Sequence, residues 1–352
     1  MTDTPWRRDP GRVAAGLEAW ARARLGGHAR VGEVSEPGSG MANDTVLFRL
    51  DGERLVARLA PAPESHFPTF PEFDLVRQRR VIDLVRALTE LPAPEVVHVE
   101  EDDTWLGVPF MVVRAIDGEV ASDNPPYLMD PSGWFLRGSD TDRERMERST
   151  IGVFVELHRI EDGDHLDFLR PGEPGSTALE RLLASYVTYY EWARAGRRVP
   201  VLERAIDVLG ATMPANDRAV LLWGDGRPGN ILYRDFEPVG VLDWEMAGVG
   251  PPEADVAWTT FFQRFFAHMA DRAGVTVPAM FERHRTARTY ESLGGAALDD
   301  LAWYEALAGL RFGTILVRMY LRGVAYGQMP MPDDPDELVM FAPLLARLLD
   351  DL

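Results

Sequence analysis

Three oxygen-bearing side chains stand close together in the segment LLWGDGRPGNILYRDFEPVGVLDWE: Asp225, Asn230 five residues on, and Asp243 ending the apolar run VLD. Magnesium prefers hard oxygen ligands and usually takes only one or two from protein, leaving phosphates and water to complete its octahedron, so an amide plus a carboxylate suits it. Asp225 is then free for another role. Phosphoryl transfer needs aligned oxygens, neutralised phosphate charge and a carboxylate aimed at the attacking hydroxyl. With an ordinary pKa near ~3.9, Asp225 is too weak a base for early deprotonation; it would orient the hydroxyl and accept the proton late. Arg227 could steady the transferring phosphoryl group through charge-assisted hydrogen bonds. A turn explains any one of these residues alone, because Asp and Asn beside Gly and Pro commonly serve turns. It does not explain the ordered set joined by two apolar strand runs. For Arg227, a solvated loop arginine remains an equal alternative.

The elements that must position this set are also legible. ILY and VGVL, separated by a turn at Asp235 to Pro238, read as a hairpin whose closed register brings Asn230 near Asp243. Upstream, residues 10–26 have helical spacing, with Val13, Leu17, Trp20 and Leu25 on one side and a stop at Gly26 and Gly27. TVLFRL and RLVARL flank Asp51-Gly52, a tight-turn pair, and the second strand carries Arg58. Residues 72–90 form a one-sided helix ended by Pro92-Ala93-Pro94, followed by strands EVVHV and VPFMVV. At RAIDG the pattern changes from short strands to long helices. This divides the chain into a β-rich lobe at 1–113, a hinge at 114–118 and a helical lobe at 119–352. Helices are predicted over 142–160, 177–194, 200–211, 253–271, 277–290, 298–322 and 335–350, and the turn-rich stretch 121–141 reads as a binding loop. In EPGSGMANDTVLF, Gly38, Ser39 and Gly40 could bring backbone N–H groups to phosphates, although such a turn is common.

Composition narrows the function classes. Acidic residues number 56 against 37 basic ones, with no basic tract of five, so the charge footprint of a nucleic-acid binder is missing. There is no cysteine, which removes disulfides, thiolate metal sites and cysteine nucleophiles. There is also no lysine, which excludes every lysine-based mechanism. The opening MTDTPWRRDPGR lacks an apolar signal region, and LAWYEALAGLRFGTILVRMYLRG is interrupted by Glu305, Arg311 and Arg318, so no membrane role and a cytoplasmic location are expected. No HExxH or G-x-S-x-G occurs, and hydrolase readings lose their main support. His158 reads as a satisfied helix histidine.

The spacing Gly-Asp, four residues, Asn, then a strand-terminal Asp resembles aminoglycoside phosphotransferases and choline kinase-like enzymes, distant relatives of protein kinases. LLWGDGRPGNILYRDFEPVGVLDWEM also resembles an uncharacterised bacterial subgroup of these phosphotransferases. The resemblance covers most of the chain. It implies an α+β, two-lobed protein-kinase-like fold with a β-rich N-lobe and a mostly helical C-lobe, ATP or GTP as donor and Mg2+ as cofactor. Asp225 would be the catalytic aspartate, Asn230 and Asp243 would hold magnesium, and Asp255 would brace the catalytic loop from a helix start. Backbone at Arg114 and Ile116 would meet the purine edge. Arg58 stands where the family has a phosphate-contacting lysine, Gln78 aligns with its helix glutamate with Asp74 one turn earlier, and Trp223 replaces a common histidine. The acceptor would be a small-molecule hydroxyl, aminoglycoside-like or another amino alcohol, sought around Trp134, Trp244, Glu245, Trp258 and Phe262, where packing is the plainer account. A catalytically silent nucleotide-binding module is the alternative. Oligomeric state is left open.

Overall fold

A computed structural model describes residues 9–35, 44–61, 68–170, 172 and 175–352. Gly38, Ser39 and Gly40 lie outside the described residues. The N-terminal region is α1 (Pro10–Arg24), β1 (Val31–Ser35), β2 (Asp44–Leu50), β3 (Glu53–Leu59), α2 (Leu75–Leu88), β4 (Val96–Glu100) and β5 (Phe110–Arg114). These strands form one antiparallel sheet in the order β1-β2-β3-β5-β4. Asp51 and Gly52 both take positive φ, 50° and 90°, as a two-residue hairpin turn requires.

Strand alternation decides what each face of this sheet meets. Leu55, Ala57 and Leu59 of β3, with Phe110 and Val112 of β5, bury against Val13, Leu17 and Trp20 of α1. Trp20 meets Phe110 edge-on at 5.4 Å. The intervening residues face the other way: Val56, Met111 and Val113 join the main core, with Val81, Ile82 and Val85 of α2. Arg58 shares Val56's face. Its position in β3 therefore sends the guanidinium toward the helical region.

That region begins at β6 (Glu119–Val120), α3 (Trp134–Arg137) and α4 (Asp140–Leu157), then α5 (Ala178–Ala193) and α6 (Pro200–Ala211). Both α4 and α5 start with reciprocal capping boxes, Ser139 with Asp142 and Thr177 with Glu180. There follow β7 (Val220–Leu222), β8 (Ile231–Arg234), β9 (Glu237–Val241), β10 (Gly248–Gly250), α7 (Pro252–Arg272), α8 (Arg283–Ser292), α9 (Leu301–Ala325) and α10 (Ala342–Asp350). Long α9 packs against α5, α6, α7 and α10.

Three sequence expectations differ in detail. The helix predicted over 277–290 begins only at Arg283, because Phe281 has φ of 46° and its N–H donates to the buried carboxylate of Glu147 at 3.0 Å. The segment 335–350 is a 3-10 turn at Pro335–Leu338 and then α10, since Phe341 is buried between them. Short β6, β7 and β10 were not foreseen; two- and three-residue strands carry no periodic signal.

Candidate active site

The segment between β7 and β8 is shaped by what α7 presents to it. Asp255, Trp258 and Thr259 occupy one face of α7 by their three- and four-residue spacing. Asp255 accepts the backbone N–H groups of Trp223 at 2.6 Å and Gly224 at 2.8 Å. His158, buried at the end of α4, reaches Asp255 at 3.3 Å and Tyr290 at 2.9 Å, so it is a satisfied core histidine. Thr259 donates its hydroxyl to the Gly226 carbonyl. Gly224 has φ of 86°, and a Cβ there would fall on the Met246 carbonyl, so only glycine fits. Arg311 of α9 donates to both Gly224 O, at 2.9 Å, and Met246 O, at 3.4 Å.

Within this frame the Asp225 carboxylate accepts from three side chains. Arg227 Nε donates to Oδ1 at 2.9 Å, Trp258 Nε1 to the same oxygen at 2.8 Å, and Asn230 Nδ2 to Oδ2 at 2.7 Å. Burial alone would raise the Asp225 pKa, but the charge and hydrogen bond of Arg227, with those of Trp258 and Asn230, outweigh it and hold the carboxyl below the ordinary aspartate value. Arg227 is itself buried between two carboxylates: its Nη1 donates to Asp123, and the guanidinium lies over Phe262 at 5.1 Å. Burial opposes its charge, yet Asp225 and Asp123 raise its pKa further. Asp123, in the stretch 121–141, was not singled out from sequence.

The β8-β9 hairpin pairs Ile231 with Val241, and Leu242 N–H donates to Asn230 O at 2.9 Å. Asn230 and Asp243 thus stand on neighbouring strand ends. Asp243 has φ of 61°, a left-handed conformation that costs a non-glycine residue about 1 kcal/mol. Asn230 uses its Nδ2 toward Asp225, also donating to the Asp225 carbonyl at 2.9 Å, which leaves its amide oxygen. Asp243 Oδ1 accepts from Arg58 at 2.8 Å. One amide oxygen and one carboxylate suit Mg2+. Among the described residues no cluster of three or more His, Cys, Asp or Glu could cage an ion.

Arg58 departs from what the resemblance implies. It pairs with Asp243 and, at 3.9 Å, Glu245. Asp74 instead caps α2 by accepting Arg77 N–H at 2.8 Å, and Gln78 is buried with its Oε1 unpaired among the described residues. Trp223 donates its indole N–H to Leu242 O at 2.9 Å and Asp243 O at 3.2 Å, tying the segment before β8 to the Asp243 backbone. An imidazole acceptor is lost there, and a donor is gained.

The remaining sequence candidates separate clearly. Trp244 stacks obliquely on Trp223 at 5.6 Å, and Trp134 donates to Val120 O at 3.0 Å while packing on Phe236. Both are packing residues. Arg114 donates its backbone N–H to Glu95 O at 2.9 Å and pairs its side chain with Glu53 and Glu95, while Ile116 lies beside Gly240. Glu245 lines an open cleft with Phe70, Gln78, Tyr186, Tyr189 and Arg311. No helix of the described residues is long and apolar enough to cross a membrane.

Residues 33–295 match the model of the phosphotransferase enzyme family. Acyl-CoA dehydrogenase family member 10 of Mus musculus is 25% identical over 325 residues, covering 88% of this chain and 28% of that protein. Family member 11 of Homo sapiens is 23% identical, covering 70% of this chain and 30% of its own length. This chain spans less than a third of those relatives, so the activity in their names belongs to much longer proteins. Among solved structures, a Ralstonia eutropha chain assigned to the aminoglycoside phosphotransferases covers 96% of each chain at 21% identity and TM-score 0.63. A thermostable mutant of aminoglycoside phosphotransferase APH(4)-Ia, in ternary complex with AMP-PNP and hygromycin B, covers 95% of this chain and 99% of its own at 18% identity and TM-score 0.60. Macrolide 2'-phosphotransferase MphH of Brachybacterium faecium covers 93% and 97% at 18% identity and TM-score 0.56. These likenesses establish the kinase-like fold.

Proposed function

The chain belongs to the phosphotransferase enzyme family, and from that premise we propose that it moves the γ-phosphoryl group of ATP to a hydroxyl of a small molecule in the cytoplasm. The carrying observation is the Asp225 carboxylate, fixed by Arg227, Trp258 and Asn230 and kept ionised within a buried site. In this reading the acceptor oxygen bonds to the γ-phosphorus as the bond to the bridging oxygen of the leaving ADP breaks, and the hydroxyl proton passes to Asp225. Asn230 and Asp243 would hold Mg2+, which when bound neutralises phosphate charge. Arg58 of β3 brings a cation to Asp243. Backbone at Arg114 and Ile116 would receive the purine. The nucleotide complex of APH(4)-Ia supports ATP as the donor to test first.

Acceptor candidates are amino alcohols and aminoglycosides, which suit an acidic protein, and hydroxyl-bearing acyl thioesters, suggested by the names of the curated relatives. The test is ADP release from Mg·ATP across such a panel, with mass detection of a phosphorylated product. A product that forms undiminished in Asp225→Asn would sink the assignment. Mg·ATP binding with no product from any acceptor would favour a silent nucleotide-binding module, a reading to which the Arg58 and Gln78 departures lend support.

A further inference from the structure

Arg227 invites assignment as a phosphate clamp, but its surroundings commit it elsewhere. Its guanidinium is covered by Phe262 and held between Asp225 on one side and Asp123 on the other. Side-chain exposure is 14% for Arg227, 13% for Asp225 and 24% for Asp123, so the pair with Asp225 is the better shielded from solvent. Asp123 comes from a different part of the chain, just beyond β6. A compact turn delivers it: Asp123 bridges to Pro126, Ser122 Oγ accepts from Asn124 N–H at 3.2 Å, and Tyr127 N–H donates to Ser122 O at 2.6 Å.

The catalytic segment is built to admit this contact. A Cβ at Gly229 would fall on Arg227 Nη1 and lie 2.9 and 3.0 Å from the two carboxylate oxygens of Asp123. Room for the pair therefore depends on a glycine whose own backbone is not in the left-handed region. A guanidinium so placed offers its fork to two carboxylates at fixed angles, and fixes the rotamer of each.

We propose that Asp123 is a positioning residue for the phosphotransfer: acting through Arg227, it holds the Asp225 carboxylate in the orientation that faces the acceptor hydroxyl. Arg227 is then an orienting group and not a phosphate ligand. The inference rests on the reading of Asp225 given above. Misplacing a reacting group by about 1 Å can cost as much as about a hundredfold in rate, so a contact two side chains away has leverage on turnover without touching nucleotide.

The experiment uses Asp123→Asn, Asp123→Glu, Arg227→Met and the double variant Asp123→Asn with Arg227→Met. Mg·ATP turnover, with water as acceptor until another is found, is measured beside Mg·ATP affinity. Asp123→Asn is expected to lower kcat about tenfold or more while the nucleotide affinity stays within about twofold, Asp123→Glu to recover part of the loss, and the double variant to fall no lower than Arg227→Met alone. A kcat within about twofold of the parent in Asp123→Asn, or losses that multiply in the double variant, would overturn the proposal. If the parent protein turns over ATP with no acceptor of the panel, the functional reading fails on its own, and the positioning contact is judged by amide hydrogen exchange. Residues 225–231 should then exchange about tenfold faster in Asp123→Asn but not in the same-loop control Asp130→Asn. Unchanged exchange in Asp123→Asn would also overturn it.

Discussion

Arg58 on β3 and Asp243 after β9, 185 residues apart in sequence, meet through a 2.8 Å hydrogen bond that joins the sheet to the helical region. Charge-assisted hydrogen bonds are worth about 1.5–3 kcal/mol, so a cation lost here should be visible in binding. Arg58→Met is expected to weaken Mg·ATP binding about tenfold or more by titration calorimetry, and Arg58→Lys to retain much of it. Equal affinity in Arg58→Met would remove Arg58 from the nucleotide site.

Asp225→Asn keeps the shape and removes the charge that Arg227 and Trp258 now hold. Loss of a general base typically costs about a hundred- to ten-thousandfold, so turnover should fall by at least about a hundredfold with Mg·ATP affinity changed little. Steady-state kinetics and calorimetry on the same preparation would separate the two effects.

Asn230→Ala deletes the amide oxygen proposed for the metal and also the donor to Asp225. The Mg2+ concentration that gives half-maximal turnover should rise about tenfold. A fall in rate with the same magnesium dependence would leave Asn230 only its hydrogen-bonding role.

Gly224→Ala would force a positive φ on alanine and drive its Cβ into the Met246 carbonyl. Denaturant unfolding should show a loss of about 2 kcal/mol or more. Gly248→Ala is the comparison, since a Cβ there has open space, and it should change stability by less than about 1 kcal/mol.

Glu100, nearly buried on β4, accepts from Arg24 of α1 at 2.8 and 3.2 Å. The hydrogen bond from Arg24 leads the effects that lower its pKa, outweighing burial, helped by the Asp102 backbone N–H and by the charges of Arg24 and His98. A depressed folded pKa means that the unfolded chain binds the proton more readily. The stabilisation is complete above the unfolded value of about 4.3 and is lost as pH falls through the lower folded value. Thermal unfolding followed between pH 7 and 3 should show Glu100→Gln less stable at neutrality, with the gap to the parent closing in acid.

The sequence carried those parts of the fold whose signal is local. Asp51-Gly52 announces its hairpin because few other pairs tolerate two positive φ angles, and α2 is visible in the spacing of Val81, Leu84, Val85 and Leu88. The family resemblance extended this to the two-lobed fold. What was not legible depends on contacts distant in sequence. Arg58 finds Asp243, not Gln78 or Asp74, through the closure of two regions, and Asp123 reaches Arg227 across about a hundred residues. Trp258 looked like packing and is also a donor to Asp225; its place three residues after Asp255 on α7 was the available signal. A run such as VPAMFERHR has helical composition, and only the Phe281 contact with Glu147 explains why α8 starts late.

The arginine at position 58 has a practical consequence for detection. Acyl-phosphate nucleotide reagents tag kinases by transferring their acyl group to an amine near the bound phosphates, and a guanidinium, protonated at all working pH, is a poor nucleophile. With no lysine anywhere in the chain, such a reagent finds no side-chain amine to label. If the chain binds nucleotide as proposed, that chemistry would not report it through any side chain of this sequence. Arginine-directed dicarbonyl reagents, with protection of Arg58 by Mg·ATP as the readout, are the labelling chemistry suited to it.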